Sequence, residues 1–287
     1  MGFLKSLFGG GGFGVDELAR RLGMAVDEIR SLEPAYRLIE IPKRSGGLRR
    51  IHEPEAKLKA LQRRLLRRVL ARLAAHPAAM GFERGLSIVT NALPHVRRAV
   101  VVRMDIEDFF ASTKAGCISE YFRAIGWNKE ASALLARLTT WENGLPAGAP
   151  TSPRLSNLVN YKLDARLLAL ATKLGSVYTR YADDMTFSFA EDRRDVIQGL
   201  IRCVKTILDE EGYVLHQKKK LRILRRHQRQ TVTGVVVNER PALPHSTRRW
   251  LRAVEHRAAT RGRASLTTRQ LEGWRALRRM VEGRSTP

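Results

Sequence analysis

The sequence predicts a mixed α+β fold, and three observations carry the prediction. Residues 99–104, Ala-Val-Val-Val-Arg-Met, form a short β-branched run bounded by charges, the pattern of a buried strand, and this run delivers Asp105 at its far end. Residues 177–181 and 185–189 are two more strand-like pieces with only Ala182-Asp183-Asp184 between them, a spacing that makes a tight antiparallel hairpin. Around these strands, residues 58–73, 118–138 and 196–208 place apolar side chains at helical spacing.

Each element follows from local chemistry. Residues 15–32 carry Val15, Leu18, Leu22 and Ile29 among charges and read as one or two short helices, a small cap. Residues 36–41 are strand-like, Pro42 breaks them, and Lys43-Arg44-Ser45-Gly46-Gly47 makes a basic turn before a second strand at 48–52. From Leu58 the apolar positions keep a helical period while Arg63, Arg64, Arg67, Arg68 and Arg72 fill the other face; a solvated arginine face and a phosphate-contacting one compete evenly there. After the helix at 196–208 come residues 212–215, the run Lys218-Lys219-Lys220, and a strand at 232–237. From Ser246 onward the chain is arginine-rich and helix-like, with Trp250 and Trp274 as apolar anchors of a separate helical subdomain.

Composition narrows the class. The 287 residues are 44% hydrophobic and 28% charged, so the chain has enough apolar material for a substantial core without disulfides or structural metal. Lys and Arg total 52 against 28 Asp and Glu, a formal net charge of +24 that points to a polyanionic partner, nucleic acid ahead of anionic membrane. Cys117 and Cys203 belong to no CxxC or Cys/His cluster, so zinc and a disulfide framework are unsupported and a reducing cytoplasm is expected. No apolar run reaches a membrane span and no signal-peptide core opens the chain. Gly9, Gly11 and Gly14 satisfy GxGxxG, but without a preceding strand or a helix opening on the third glycine the pattern reads as a flexible run. Met1-Gly2 with Ser6 fits a myristoylation pattern and is treated as coincidence.

The chemistry rests on three acids. Adjacent aspartates inside a regular strand would face opposite ways, whereas in a hairpin turn Asp183 and Asp184 can project toward one site. Asp105 also ends a strand, and if the strands are neighbours the three carboxylates cluster at one sheet edge, where hard oxygen donors select Mg²⁺ or Mn²⁺. Two such ions about 3.5–4 Å apart suit in-line phosphoryl transfer. Taken singly, each acid has an ordinary reading: Asp-Asp as turn chemistry, Asp105 as a helix cap for the segment that follows.

Together the segments resemble a known family. Tyr181-Ala182-Asp183-Asp184 with Met185-Thr186-Phe187-Ser188 resembles the catalytic hairpin of reverse transcriptases, and Met104-Asp105-Ile106-Glu107-Asp108-Phe109-Phe110 resembles their first aspartate motif. Between them, Gly144-Leu145-Pro146-Ala147-Gly148-Ala149-Pro150-Thr151-Ser152-Pro153 with Leu155-Ser156-Asn157-Leu158 is similar to the template- and nucleotide-positioning block. Asn91-Ala92-Leu93-Pro94-His95 and Val232-Thr233-Gly234 resemble the NAxxH and VTG elements of the bacterial retron group. The likeness covers residues 36–238.

The resemblance implies an α+β right-hand polymerase with an antiparallel palm sheet and a short helical thumb. Its parts would be an N-terminal cap (1–35), fingers (36–94), a first palm segment (95–115), fingers and palm helices (116–143), a second palm segment (144–240) and a basic helical thumb (241–287). Asp105 and Asp183 would be the principal ligands of two Mg²⁺ ions, with Mn²⁺ as a possible substitute and Asp184 as the third acid. Lys43 and Arg49 match the fingers residues that hold the incoming triphosphate, Lys219 matches the lysine near the departing pyrophosphate, Phe110 matches the gate against the ribose 2′-OH, and Pro146 and Gly148 belong to the nucleotide-positioning block. Three adjacent lysines leave Lys219 evenly balanced against a solvated basic surface. Arg63, Arg67, Asn91, His95, Arg248 and Arg249 are the nucleic-acid-binding candidates, although for His95 a structural role is preferred.

Two departures stand out: Ala147 replaces the usual glutamine, and His216 stands where asparagine is usual, as a local hydrogen-bonding substitute. By resemblance, the expected activity is retron RNA-directed DNA synthesis: part of a structured noncoding RNA, serving as template and primer, is copied from dNTPs into a branched RNA–DNA hybrid. Antiphage defence with a separate effector protein, and no membrane partner, would follow. The rivals are a reverse transcriptase of a group II intron, another defence system or a CRISPR locus, and a non-catalytic RNA-binding protein with a palm fold. Against the intron enzyme stands the lack of a maturase-length tail after the thumb.

Overall fold

The computed structural model describes residues 12–42, 46–216, 221–261 and 265–283. Lys43 and Lys219 lie outside them, as do Gly2, Ser6, Gly9 and Gly11. The chain divides into two compact units, one of Met1–His76, Glu107–Leu163 and Glu211–Tyr213, the other of Pro77–Ile106, Asp164–Glu210 and Val214–Pro287.

In the first unit, the N-terminal helix Val15–Leu22 and the short helix Val26–Ser31 bury Leu18, Leu22 and Ile29. Gly14 is the N-cap of the first, so a helix does open on the third glycine of the GxGxxG pattern; Phe13, just before it, lies outside the named strands, in an isolated bridge with Trp127. Strands β1 (Tyr36–Pro42) and β2 (Leu48–Pro54) form the basic hairpin, in register from Tyr36 opposite Pro54 to Pro42 opposite Leu48. The arginine helix Ala56–Leu65 buries Leu58, Leu61 and Leu65, then widens into one π-helical turn, Leu66–Leu70. The helical stretch expected at 118–138 is two helices, Ala115–Ala124 and Lys129–Thr139, separated where Gly126 takes φ +103° and the Asn128 side chain caps the second. Leu61, Phe122, Leu135 and Leu155 share this unit's core.

The second unit is built on a four-stranded antiparallel sheet of β3 (Val100–Asp105), β4 (Ser176–Tyr181), β5 (Asp184–Phe189) and β6 (Arg222–Arg225), in the order β4-β5-β3-β6. β3 is covered on both faces, which explains its uninterrupted apolar text. The strand expected at 232–237 is instead two short strands, β7 (Thr231–Val232) and β8 (Val235–Val236), folded around Thr233 at φ +46° and Gly234 at φ +85°, the backbone that a two-residue hairpin turn requires. Residues from 245 onward form two basic helices, His245–Arg261 and Thr268–Glu282, which belong to the same compact unit as the sheet, with Val281 in one apolar cluster with Val89, Val101 and Val232. Trp250 and Trp274 meet edge to face at 5.2 Å, a contact worth about 1 kcal/mol beyond its buried area, and Glu255 accepts from both Arg275 and Arg278. Among the described residues no helix is long and apolar enough to cross a membrane, and Cys117 and Cys203 are exposed free thiols.

Candidate active site

The three acids meet at one end of the sheet. Asp105 ends β3 and lies directly opposite Asp184, the first residue of β5, while Asp183 occupies the turn beside them. The backbone locks this corner: the Ile106 N–H donates to the Asp183 carbonyl at 3.0 Å and the His216 N–H to the Asp105 carbonyl at 2.8 Å. The turn is tighter than the sequence suggested. Tyr181 pairs with Asp184, so only Ala182 and Asp183 make the loop, and Ala182 takes φ +58°, a conformation that costs a non-glycine residue on the order of 1 kcal/mol. Gly81 backs onto it so closely that a Cβ there would lie 2.9 Å from the Ala182 nitrogen.

Like charges directly opposite on paired strands repel, and this pair carries a counter-ion within the sheet. Arg103, two residues before Asp105 and therefore on the same face, donates from Nη2 to Asp184 Oδ2 at 2.5 Å. A second ion pair holds the turn from behind. Arg180 and Asp164 are both fully buried; Arg180 donates from Nε to Oδ1 at 2.8 Å and from Nη2 to Oδ2 at 2.5 Å, and Tyr178 adds its hydroxyl to Oδ1 at 2.9 Å. Arg180 Nη1 donates to the Ala182 carbonyl at 2.9 Å, which ties the loop of the hairpin to the helix Tyr161–Lys173 that carries Asp164. Burial and the neighbouring Asp164 carboxylate push the Tyr178 hydroxyl well above its usual range, so it stays a donor.

The donor set suits a hard divalent cation: carboxylate oxygens from a strand end, the strand facing it and the turn between. Among the described residues, no group of three or more His, Cys, Asp and Glu side chains is arranged to hold a metal ion, and the Asp184 carboxylate is engaged by Arg103. The backbone therefore brings the acids together while their side chains are not gathered into a ligand cage.

The retron-like elements prove to be structural neighbours. Asn91, in the helix Ile88–Ala92, donates from Nδ2 to Thr233 Oγ1 at 3.4 Å, and the Thr233 hydroxyl donates to the Ile88 carbonyl at 2.9 Å, so NAxxH and VTG close on each other. His95 is fully buried, its Nδ1 2.7 Å from Ser188 Oγ and its Nε2 2.8 Å from Thr179 Oγ1, bridging β5 and β4. Asn91 and His95, the nucleic-acid-binding candidates of this segment with a structural role preferred for His95, both have their side chains buried inside the unit.

Burial, with the Arg98 charge adding to it, pushes the His95 ring down to about 3 from an ordinary 6.5. Between those values the unfolded chain binds the extra proton, so this contribution to stability is complete above pH 6.5 and lost as pH falls toward 3. Urea-unfolding midpoints should drop across that window, with a slope of up to about 1.4 kcal/mol per pH unit from this group. In His95→Gln the acid limb should be flatter; an identical limb would show that other groups set it.

The remaining candidates fall as follows. Arg49 is exposed on β2, Arg63 and Arg67 are exposed on the arginine helix and its π-turn, and Arg249 is exposed on the helix that also holds half-buried Arg248. Phe110 packs 5.6 Å from Phe109 at the start of a single helical turn, Phe109–Ser112. Pro146 is buried, its carbonyl accepting from the Ser152 hydroxyl, and Ala147 presents its carbonyl to the His52 N–H of β2 at 2.8 Å. Gly148, at φ +126°, passes so near β2 that a Cβ would sit 2.6 Å from Ile51. Sequence reasoning missed Arg103, Arg180 and Asp164, though arginines inside two apolar strand runs were a readable signal of buried partners.

Acids at the C-terminal end of a central strand and at the hairpin beside it, on an antiparallel sheet flanked by helices, define the palm of a right-hand nucleotide polymerase. Solved structures share that fold: telomerase from Candida albicans aligns over 81% of this chain and 51% of its own with a TM-score of 0.53 at 9% identity. Telomerase from Candida tropicalis aligns over 73% and 55% with a TM-score of 0.51 at 13% identity. The family model for reverse transcriptase (RNA-dependent DNA polymerase) matches residues 41–237. Retron Mx162 reverse transcriptase of Myxococcus xanthus is 37% identical over 93% of this chain, and Retron Ec86 reverse transcriptase of Escherichia coli is 35% identical over 78% of this chain and 71% of its own. The chain belongs to the reverse transcriptase family and, within it, to the bacterial retron type. It spans 64% of the length of the Mx162 relative and 62% of a second Myxococcus xanthus relative, Retron Mx65 reverse transcriptase.

Proposed function

We propose that this protein is an RNA-directed DNA polymerase of a retron, copying part of a structured noncoding RNA into a branched RNA–DNA product. The observation that carries the reading is the pairing of Asp105 with Asp184 beside Asp183, acids far apart in the chain brought to one sheet corner. Divalent cations held by Asp105 and Asp183, with Asp184 as the third acid, would supply the charge that activates the primer hydroxyl and stabilises the departing pyrophosphate. The residues of the chain do the rest. The tethered turn fixes where the carboxylates stand, Lys43, Arg49 and Lys219 offer cations to the triphosphate, and Phe110 excludes the ribose 2′-OH, so that dNTPs are the substrates. The fingers, palm and thumb boundaries given above, the two-ion site and a role in antiphage defence with a separate effector belong to the same proposal.

Two measurements test it. Purified protein with Mg²⁺, an RNA template and a primer is expected to incorporate dNTPs and not rNTPs, and no incorporation on any RNA would overturn the polymerase reading. Sequencing nucleic acid that copurifies from cells expressing the protein with its flanking DNA is expected to show a short DNA branched from an RNA 2′-oxygen; linear DNA alone would remove the retron product.

A further inference from the structure

The strongest feature outside the acid corner lies in the first unit. A cavity of about 480 Å³ opens between the N-terminal helix and the π-turn of the arginine helix, and Arg20, Arg21, Arg67, Arg68 and Arg72 line it. The π-turn supplies Arg67 and Arg68, and Arg72 follows two residues past its end. Several of these groups are positioned from within. The Arg21 guanidinium lies 4.6 Å from the Phe13 ring centre and 5.1 Å from that of Trp127, and Arg68 Nη1 donates to the Arg21 carbonyl at 3.1 Å.

Charge in the cavity is poorly balanced. Glu17 accepts from Arg20 at 2.7 Å and from Arg21 at 2.6 Å, bonds that hold its carboxyl down to about 2. Arg67 and Arg72 are exposed and, among the described residues, have no hydrogen bond or ion pair. Holding guanidiniums together at such a density opposes folding unless an anion joins them, and the planar fork of arginine matches phosphate oxygens two at a time.

We propose that this cavity is a phosphate-backbone clamp for RNA, separate from the unit that carries the catalytic acids. The lining says which part of the RNA it takes. Its polar side chains are all guanidiniums, whose planar forks match phosphate oxygens two at a time, and Arg21 already covers the rings of Phe13 and Trp127 that could have stacked a base. Its grip falls on phosphates, the contacts that set the position of a folded RNA. The inference rests on the RNA-directed reading above and extends it to a second site of grip.

The test is an affinity titration of a fluorescein-labelled RNA hairpin over a KCl series. Arg67→Gln with Arg72→Gln should weaken binding about tenfold at low salt and reduce the slope of log affinity against log salt by about 1 to 2, as counterions are no longer released there. Arg67→Lys with Arg72→Lys, which keeps the charge but loses the fork, should restore most of the slope. Unchanged affinity and slope in the glutamine variant, with its melting temperature intact, would overturn the clamp. Loss of competition by inorganic triphosphate with RNA affinity retained would overturn it too, since the cavity would then be a small-anion site. Failure of the polymerase reading shows separately, as absent dNTP incorporation by the unaltered protein.

Discussion

Asp183→Asn is expected to reduce dNTP incorporation on an RNA template by on the order of a thousandfold or more, with RNA affinity unchanged. The substitution is isosteric and asparagine is at home in turns, so the hairpin and the bond from the Ile106 N–H to the residue 183 carbonyl should survive it. What changes is one negative charge among the acids that face each other at the sheet corner. A cation site that loses an anionic donor loses several kcal/mol of transition-state stabilisation, and each 1.4 kcal/mol is tenfold in rate. Primer extension followed on a gel, beside a binding titration of the same RNA, separates the two readouts. Incorporation equal to that of the unaltered protein would refute the assignment of these acids.

The second large effect belongs to the buried pair behind the turn. Asp164→Ala should cost about 3–5 kcal/mol of stability, because it leaves the Arg180 guanidinium charged, buried and without the carboxylate that takes two of its bonds. Asp164→Leu with Arg180→Met fills the space without charge and should recover much of that loss. It should not recover activity, since the bond from Arg180 to the Ala182 carbonyl goes with it and the acid-bearing turn is no longer held. Urea-unfolding midpoints report the first quantity and single-turnover incorporation the second. A double variant with full activity would mean that the turn holds its shape without Arg180.

Much of this was legible in the amino-acid order, and the exceptions have physical causes. β3, the hairpin and its acids could be read because β-branched runs and turn residues act locally. Arg222–Arg225 was invisible as a strand: its Arg-Ile-Leu-Arg text has no alternation of its own, and its partner β3 lies far earlier in the chain. The run at 232–237 looked like one strand because its valines outweighed Gly234, whose positive φ decides the fold there. Asp164 reads as one more solvent-facing helix acid, since nothing nearby in sequence announces the arginine that meets it. The π-turn has no sequence signature at all, yet it carries Arg67 and Arg68 to the cavity.

The strand order has a bearing on how the protein comes into being. β3 pairs with β5 on one side and β6 on the other, and both are made long after it. During synthesis the ribosome releases Asp105 well before either neighbour exists, so a nascent chain carries that strand unsheltered until the hairpin emerges and pairs. The acid corner thus assembles late, and a translation product ending before residue 184 lacks the strand that stands opposite Asp105.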